Sequence, residues 1–326
     1  MKDKVLRTIQ KYKLIDNKDK LVVAVSGGTD SICMLDILNH LKKEKCFAII
    51  VAHLNHMLRK EADKDEQYVR DYCEKNEIEF YAKSIDVKKL ANTNKIGTEE
   101  AGRLARYEFF DEVLKKTKST KIAIAHNKND KVETVLMHVL RGSGIEGLRG
   151  IEPKRGNIIR PLIECERTQI EKYCKENQLN PRMDKTNLEN IYNRNKIRNI
   201  VIPYIQEEFN PNIVQTIDRL SDIVTLEDEY MQKQTQKVYH ELVIAEKQKE
   251  IVMDLKGFNL QETVIKSRLI RYIIKRLFGN VASIEKVHID DVVKLCNNNI
   301  GNKYLMPNKN VKILVNNHKI YIIAIS

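Results

Sequence analysis

A glycine pair flanked by hydroxyl side chains is the first feature of this chain that could carry out chemistry. It lies in LVVAVSGGTDSICMLDIL, residues 21–38, between an apolar strand-like run and an apolar run with helical spacing. Gly27 and Gly28 can adopt positive φ angles, which lets successive backbone N–H groups converge, and a helix that begins there adds positive potential. Hydroxyl donors flank the pair at Ser26, Thr29 and Ser31. The pattern predicts a phosphate-binding loop; the alternative is an ordinary strand-to-helix turn capped by Asp30 or Ser31.

Charged and imidazole side chains recur in three later segments. AHLNHMLR, residues 52–59, follows an apolar run; EEAGRLARYEFF, residues 99–110, has the pattern of a helix; AHNKNDKVET, residues 125–134, follows another apolar run. In a parallel sheet the carboxyl ends of the strands share one edge, and ligands bind there. We therefore expect the loops after residues 25, 52 and 125 to converge on one crevice.

The elements that must hold these loops alternate between strand and helix. Helical periodicity appears near 29–42, 61–76, 98–117 and 129–141, and short β-rich runs occur at 21–25, 46–52, 78–83 and 121–125. The runs are apolar on both faces, which is typical of a parallel sheet covered by helices on both sides. The predicted fold class is α/β, with a Rossmann-like parallel-sheet catalytic domain.

The pattern of the sequence changes between Pro203 and Pro211, and we place a domain boundary near residue 205. Residues 1–205 would form the catalytic domain, and residues 206–326 a smaller, mainly helical domain. Its predicted elements are a long helix at 212–248, a strand at 251–255, a basic helix at 260–277 and a terminal hairpin at 311–324 that turns at residues 316–318. The basic helix could bind RNA or simply pack with one basic face.

The chain is basic, with 57 lysine and arginine residues against 45 acidic residues and a formal net charge of +12. Residues 1–200 contain 40 of those basic and 30 of the acidic residues, so the surplus lies in the first part of the chain. A basic surface suits nucleic acid, although a solvated lysine-rich surface has the same composition. Because no apolar run reaches the length of a membrane span or a signal peptide, we expect a cytoplasmic protein without a membrane partner.

The six cysteines form no C-x-x-C pair and show no Cys/His spacing of a zinc site. The sequence therefore predicts buried thiols, and it indicates neither a disulfide framework nor a metal centre held by the protein.

The phosphate-binding loop can be compared with known patterns. It has neither the Gly-Lys-[Ser/Thr] of a Walker A loop nor G-x-G-x-x-G. SGGTDS after a strand resembles the S-G-G-x-D-S loop of the N-type ATP pyrophosphatases, the PP-loop superfamily, which cleave ATP between the α and β phosphates. The later segments resemble the tRNA(Ile)-lysidine synthetase family, whose pattern runs H-x-N-H-x-L-R, E-x-x-R-x-x-R-Y, A-H-x-x-D-D-x-x-E-T and R-G-S-G. The match continues through RPL at 160–162, DKTN at 184–187 and RNKIR at 194–198.

Four positions depart from the family pattern. The family usually has His, Asp, Gln and Ser where this chain has Asn127, Asn129, Lys131 and Thr186. Asp130 and Glu133 are retained, so the expected chemistry is unchanged. The orientation of Asp130 beside Asn129 is left open.

The resemblance implies that the 2-oxo group of the wobble cytidine in a CAU-anticodon tRNA(Ile) is replaced by the ε-amine of free L-lysine. ATP, accompanied by Mg²⁺, would first turn that oxygen into an AMP leaving group. The residues implied for ATP are Ser26, Gly27, Gly28, Thr29, Asp30, Ser31, His53 and Arg103. The residues implied for catalysis are Asp36, Arg106 and His126, of which the last two would face the α phosphate as cations, with Arg103 as an alternative.

The same resemblance supplies the residues for the other two substrates. Asp130 and Glu133, three apart on one helical face, would bind lysine, and His56, Arg59, Arg194 and Arg198 would bind tRNA. Simpler interpretations stay open for several of these residues. Asp36 would then be an ordinary charged residue on a polar helix face, His56 would stabilise its own loop, and the two arginines after residue 193 would form a solvated surface pair.

Three rival functions share part of this pattern: a tRNA-thiolating PP-loop enzyme, an amidating synthetase such as NAD synthetase, and a non-catalytic tRNA-binding protein. The resemblance also allows a homodimer, although the sequence does not decide the oligomeric state. Family members often continue into a further C-terminal domain. Since this chain stops at Ser326, both a natural short form and a part of a longer protein stay open.

Overall fold

A six-stranded sheet in the order β3-β2-β1-β4-β6-β5 forms the centre of the N-terminal part of the protein. Neighbouring strands run parallel, except that β5 and β6 are antiparallel. The strands are β1 (Lys20–Ala24), β2 (Ala48–Asn55), β3 (Glu79–Ser84), β4 (Lys121–Ala123), β5 (Lys154–Arg155) and β6 (Ile158–Ile159). This computed structural model describes residues 1–57, 62–182, 193–279, 284–298 and 303–325. The predicted α/β parallel-sheet fold is confirmed.

Helices connect these strands. In chain order they are α1 (Lys2–Lys11), α2 (Thr29–Lys45), α3 (Ala62–Lys75), α4 (Val87–Asn94), α5 (Thr98–Lys116), α6 (Lys128–Leu140), α7 (Ile145–Leu148), α8 (Arg167–Glu176), α9 (Asn193–Lys196), α10 (Ile202–Glu208) and α11 (Ile213–Leu242). A π-helical segment, Ile197–Val201, lies between α9 and α10. The strands and helices predicted up to residue 141 are all present, with ends shifted by a few residues.

The apolar sequence of β1 follows from burial on both of its faces. Leu21 and Val23 pack into one hydrophobic cluster with α2, while Val22 and Ala24 pack into a second cluster with Phe109 of α5. Since successive side chains of a strand point to opposite faces, only a strand covered on both sides needs an unbroken apolar run. This double burial fixes the carboxyl end of β1, where the glycine pair follows.

The chain divides into two compact units, Met1–Asp222 and Ile223–Ser326. The first unit therefore extends beyond the boundary predicted near residue 205. The reason is an ion-pair cluster at the start of α11, where Lys131 Nζ lies 2.8 Å from Asp218 Oδ1 and 2.6 Å from Asp222 Oδ1. Lys128 Nζ adds a 3.1 Å contact to Asp218 Oδ2, so the first turns of α11 belong with α6.

The C-terminal unit contains a five-stranded antiparallel sheet in the order β7-β8-β11-β10-β9. Its strands are β7 (Val243–Lys247), β8 (Glu250–Asp254), β9 (Lys303–Asn308), β10 (Val311–Asn316) and β11 (Lys319–Ala324), and its helices after α11 are α12 (Leu255–Asn259), α13 (Thr263–Phe278) and α14 (Lys286–Asn297). The predicted terminal hairpin is present, with its turn at Asn317 and His318, both at positive φ. The prediction that the long helix extends to residue 248 was wrong, because residues 243–247 form a strand that pairs with β8.

Two further expectations concern the whole chain. Within the described residues, no helix is long and apolar enough to cross a membrane. The six cysteines are free thiols, and five of them are buried, whereas Cys46 is exposed.

Candidate active site

The glycine pair forms a tight loop between β1 and α2. Gly27 has a φ of +87°, in the region that favours glycine. Ser31 Oγ donates to the Gly28 carbonyl at 2.9 Å and accepts from the Ser26 amide at 3.2 Å, and the hydroxyls of Ser26 and Ser31 lie 3.2 Å apart. The loop thus leads into the N-terminus of α2, whose cap residue, Gly28, has no side chain to occupy the first amide groups. This geometry is what a phosphate-binding loop requires.

Asp30 connects this loop to the loop after β4. Its Oδ1 accepts a 3.0 Å hydrogen bond from Asn127 Nδ2. Burial and the nearby Asp130 carboxylate raise the pKa of Asp30 to about 6. A hydrogen bond between residues 97 positions apart shows that the loops after β1 and β4 meet at the predicted edge of the sheet.

Asp130 and Glu133 lie together on the first turns of α6, and both face arginines. Asn127 caps the helix and forms a reciprocal pair with Asp130, since each residue's amide donates to the other's side chain at 3.0 Å. This capping box orients Asp130 and settles the question that Asn129 left open. Glu133 is only 1% exposed. A carboxylate so deeply buried needs charged partners.

Those partners are Arg194 and Arg198, which the sequence assigned to tRNA. Arg194 Nε donates to Glu133 Oε2 at 2.9 Å, and Arg194 Nη2 donates to Asp130 Oδ1 at 3.1 Å. Arg198 donates to Glu133 Oε1 at 2.6 Å, to Glu133 Oε2 at 2.8 Å and to Asp130 Oδ1 at 2.9 Å. The surface-pair alternative is wrong, and the described contacts favour a role within the acidic site over direct binding of tRNA.

His126 lies at the end of β4, in front of a third arginine. Its Nδ1 accepts a 3.1 Å hydrogen bond from Arg160 Nε. Burial lowers the pKa of His126 to about 4, and the charges of Arg160, Arg194 and Arg106 act in the same direction against the opposing charge of Asp130. This pKa favours a neutral His126 at physiological pH over the cation that the sequence predicted.

Arg106 lies on α5, and its charge acts on His126. Its Nη2 donates to His56 Nε2 at 3.4 Å, and burial together with the Arg106 charge lowers the pKa of His56 to about 4. Arg103 stacks over Tyr107, with its guanidinium carbon 5.7 Å from the ring centroid. Of these two arginines, Arg106 is the one whose charge acts on the pKa of His126.

His53 and Asp36 form hydrogen bonds with groups outside the acidic cluster of α6. His53 is 2% exposed, and its Nδ1 donates to the Val25 carbonyl at 2.9 Å, which ties β2 to the loop after β1. Asp36 is 6% exposed and accepts hydrogen bonds from Tyr72 at 2.8 Å and Tyr173 at 2.7 Å. Because both Asp36 oxygens bind tyrosines of the packed helices α3 and α8, the contacts favour a structural role over the predicted catalytic one. Arg59 lies outside the described residues.

Comparisons with known proteins identify the family. A family model described as a PP-loop domain matches residues 1–205. A tRNA(Ile)-lysidine synthase of Clostridium tetani is 47% identical over 324 residues, which cover 99% of this chain and 69% of the relative. The chain belongs to the tRNA(Ile)-lysidine synthase family. A synthase of the same name from Clostridioides difficile is 43% identical, over 95% of this chain and 67% of the relative. The chain spans about two thirds of the length of these curated relatives.

A solved structure shows the same fold at lower identity. The U34-tRNA thiolase of Methanococcus maripaludis aligns with a TM-score of 0.55 and 20% identity, over 68% of this chain and 77% of that one. At this identity the likeness concerns the fold alone.

Three of the four departures from the lysidine synthase pattern make contacts that account for the residue present. Asn127 caps α6 and binds Asp30, whereas Asn129 Oδ1 accepts from the Arg167 amide at 3.0 Å and so caps the start of α8. Lys131 pairs with Asp218 and Asp222. Thr186 lies outside the described residues.

Sequence reasoning missed two residues of the site. The RPL segment, which contains Arg160, was part of the family resemblance, but no role was predicted for this arginine. Its position next to a short apolar run at the end of a strand could have indicated a buried cation. Asn127 was treated only as a departure from the family pattern, although Asn three residues before Asp130 fits the pattern of a helix cap.

Replacing Gly27 with alanine should weaken ATP binding about tenfold. The positive φ of Gly27 costs an L residue about 1–2 kcal/mol, and a Cβ at this position would lie 3.3 Å from Asp65 Cβ, a tight contact that Asp65 must relieve by a small displacement. The dissociation constant for ATP, measured by calorimetry, tests this expectation. Gly156→Ala is the matched control, because Gly156 also has a positive φ but has nothing within 4 Å of an added Cβ. An unchanged ATP affinity in Gly27→Ala would remove the loop from the ATP site.

Proposed function

We propose that this chain ligates free L-lysine to C2 of the wobble cytidine in a CAU-anticodon tRNA(Ile), converting ATP into AMP and diphosphate. The observation that supports this most directly is the short distance between two unlike sites. The phosphate-type loop at Ser26–Ser31 is hydrogen-bonded, through Asp30 and Asn127, to the acidic pair on α6. An enzyme that activates one substrate with ATP and attacks it with an amine needs these two sites side by side.

The first step is the transfer of AMP to the cytidine oxygen. The loop amides and the hydroxyls of Ser26, Thr29 and Ser31 would bind the diphosphate leaving group. Arg106 would stabilise the charge that develops on the α phosphate, and neutral His126 would add one hydrogen bond. Mg²⁺ would offset the triphosphate charge, and Asp30 is the carboxylate at the loop that fits it, because Mg²⁺ is commonly bound by one or two carboxylates together with substrate phosphates.

The second step needs a lysine whose ammonium groups are recognised. Asp130 and Glu133 are bound by the guanidiniums of Arg194 and Arg198, and Asp30 lies beside them, bound by the Asn127 side chain. The negative charge that these carboxylates bring together favours the binding of an ammonium group. Arg194 and Arg198 hold the carboxylates in place, which prepares the site for a further cation. The attacking amine must lose a proton first, and exclusion of water beside a carboxylate acceptor promotes that loss.

Binding of the tRNA is supported by the single-stranded nature of an anticodon loop, since its bases can leave their stack at low cost. His56, beside Arg106, stays a candidate contact for the base. The predicted homodimer and the assignment of Arg59 to tRNA stay predictions.

The two-step reaction can be tested with α-labelled ATP and an unmodified transcript of tRNA(Ile) that carries CAU. Without lysine, we expect the label to become attached to the tRNA as AMP; adding lysine should release it. A transcript with uridine at the wobble position serves as the control. Consumption of ATP at equal rates with either transcript, or with none, would contradict the proposal. Incorporation of labelled sulfur would instead favour the thiolation alternative.

A further inference from the structure

Arg160 is a buried arginine whose contacts lead to a catalytic side chain. It is 6% exposed and follows β6 directly. Its Nη1 donates to the Glu152 carbonyl at 2.6 Å, which anchors the guanidinium, and its Nε donates to His126 Nδ1 at 3.1 Å. The guanidinium is thereby fixed between backbone and imidazole.

The direction of the second hydrogen bond determines the tautomer of His126. A guanidinium has only donors and does not lose its proton in proteins. Nδ1 of His126 must therefore be the acceptor, and in a neutral imidazole the proton then lies on Nε2. Among the other described histidines, His288 Nδ1 also accepts, from the Glu285 amide at 3.1 Å, whereas His53 and His138 are arranged the opposite way. His53 Nδ1 faces the Val25 carbonyl and His138 Nδ1 faces the Gly147 carbonyl, and since a carbonyl only accepts, both carry their proton on Nδ1.

We propose that Arg160 is a positioning residue, which keeps His126 as a neutral donor through Nε2–H towards the α phosphate. This role rests on the proposed function in one respect only, namely that the α phosphate is the group that accepts the hydrogen bond from His126. His126 would then contribute a hydrogen bond of constant strength, and it would act neither as a cation nor as a proton shuttle. The charge that binds the phosphate comes from Arg106, and the hydrogen bond that orients it comes from His126.

The groups around His126 agree with this role. Three positive side chains face it, namely Arg160 after β6, Arg106 on α5 and Arg194 on α9, and one carboxylate faces it, Asp130 on α6. The positive groups and burial both oppose protonation and outweigh the carboxylate, which explains a pKa of about 4.

The test measures the imidazole nitrogens of the full chain by ¹⁵N NMR between pH 5 and 8, with His126→Gln used to assign the signal. We expect His126 to show a bare Nδ1 and a protonated Nε2 with no titration in this range, and His53 to show the opposite tautomer in the same spectrum. A His126 signal protonated on Nδ1, or one that titrates near pH 6.5, overturns the proposal from the unmodified protein alone, whether or not any variant folds.

Variants of Arg160 connect the tautomer to the reaction. Arg160→Met should lower kcat for AMP transfer by about 100-fold, in the range seen for loss of one transition-state donor, with a smaller change in the KM for ATP. In this variant the pKa of His126 should rise, because one of the positive charges that lower it is removed, so that the loss of activity in acid begins at a higher pH than in the unmodified protein. Arg160→Lys keeps a donor and should restore both the tautomer and part of kcat. A purely structural Arg160 would lower the yield of folded protein without changing the tautomer or the pH profile.

The two proposals fail separately. If His126 has the expected tautomer but no AMP reaches the tRNA, the proposed function fails and the assignment of the tautomer stands. If AMP is transferred while Arg160→Met leaves kcat, the tautomer and the pH profile unchanged, only the role of Arg160 is overturned.

Discussion

Asp130→Asn should raise the KM for lysine by about 10- to 100-fold while the KM for ATP changes far less. A hydrogen bond between two charged groups contributes about 1.5–3 kcal/mol, which corresponds to that factor. Asparagine retains an oxygen for the Asn127 amide, so the cap of α6 can persist while the negative charge is lost. Steady-state kinetics with either substrate varied at saturating levels of the others measures both constants.

Asp86→Asn is the matched control for this substitution. Asp86 also caps a helix, accepting from the Lys89 amide at 3.0 Å, but it is exposed at the start of α4. The control should leave both KM values unchanged. Equal increases in the two constants for Asp130→Asn would place Asp130 outside the lysine site.

Arg198→Met should destabilise the protein by about 3 kcal/mol and leave its affinity for tRNA nearly unchanged. The substitution removes the partner that donates to both Glu133 oxygens, and removal of one partner from a buried ion pair typically costs about 3–5 kcal/mol. We place the value at the lower end because Arg194 still contacts Glu133. Denaturant unfolding gives the stability, and the salt dependence of tRNA binding shows whether a phosphate contact was lost.

Two further variants make this result specific. Arg198→Met combined with Glu133→Gln should be less destabilised than the sum of the two single changes, because the double variant no longer buries an unpaired charge. Arg219→Met, at an exposed arginine of α11, should change stability by less than about 0.5 kcal/mol. A weaker salt dependence for Arg198→Met with unchanged stability would return Arg198 to the tRNA interface.

The sequence predicted those parts of the fold that depend on local patterns. The strand β1 and helix α2 follow from apolar periodicity, and the loop between them follows from Gly27 and its flanking hydroxyls. The terminal hairpin was also predictable from a local pattern, because Asn317 and the next residue tolerate the positive φ that its turn requires. The full C-terminal sheet was not predictable from the sequence. Its strand β7 continues the helical periodicity of α11, and it forms a strand because it pairs with β8.

The site was predictable where one element or one loop carries it, as for Asp130 and Glu133 on α6. It was not predictable where the partner comes from a distant part of the chain. Asp36 is held by a tyrosine 137 positions away, and the arginines that bind Glu133 lie 61 and 65 positions away. The periodicity of a sequence does not record such pairings. From the sequence alone, a charged residue that binds another group of the protein therefore cannot be distinguished from one that binds a ligand.

The charge state of His126 illustrates the same limit. An AHN motif after a strand indicates a histidine at the sheet edge, but its protonation depends on burial and on Arg160, Arg106 and Arg194, which come from three other elements. Only the assembled site brings these three arginines together around the imidazole, which lowers its pKa and favours the neutral form.

The central claim is that this chain attaches lysine to a tRNA base, and attachment of radiolabelled lysine to unmodified CAU tRNA(Ile) measures it most directly. With ATP and Mg²⁺ present, we expect label in the tRNA, recovered after nuclease digestion as a cytidine that carries lysine, and none when ATP is omitted or Asp130→Asn is assayed at low lysine. Absence of label under conditions where the tRNA binds and ATP is in excess would contradict the claim.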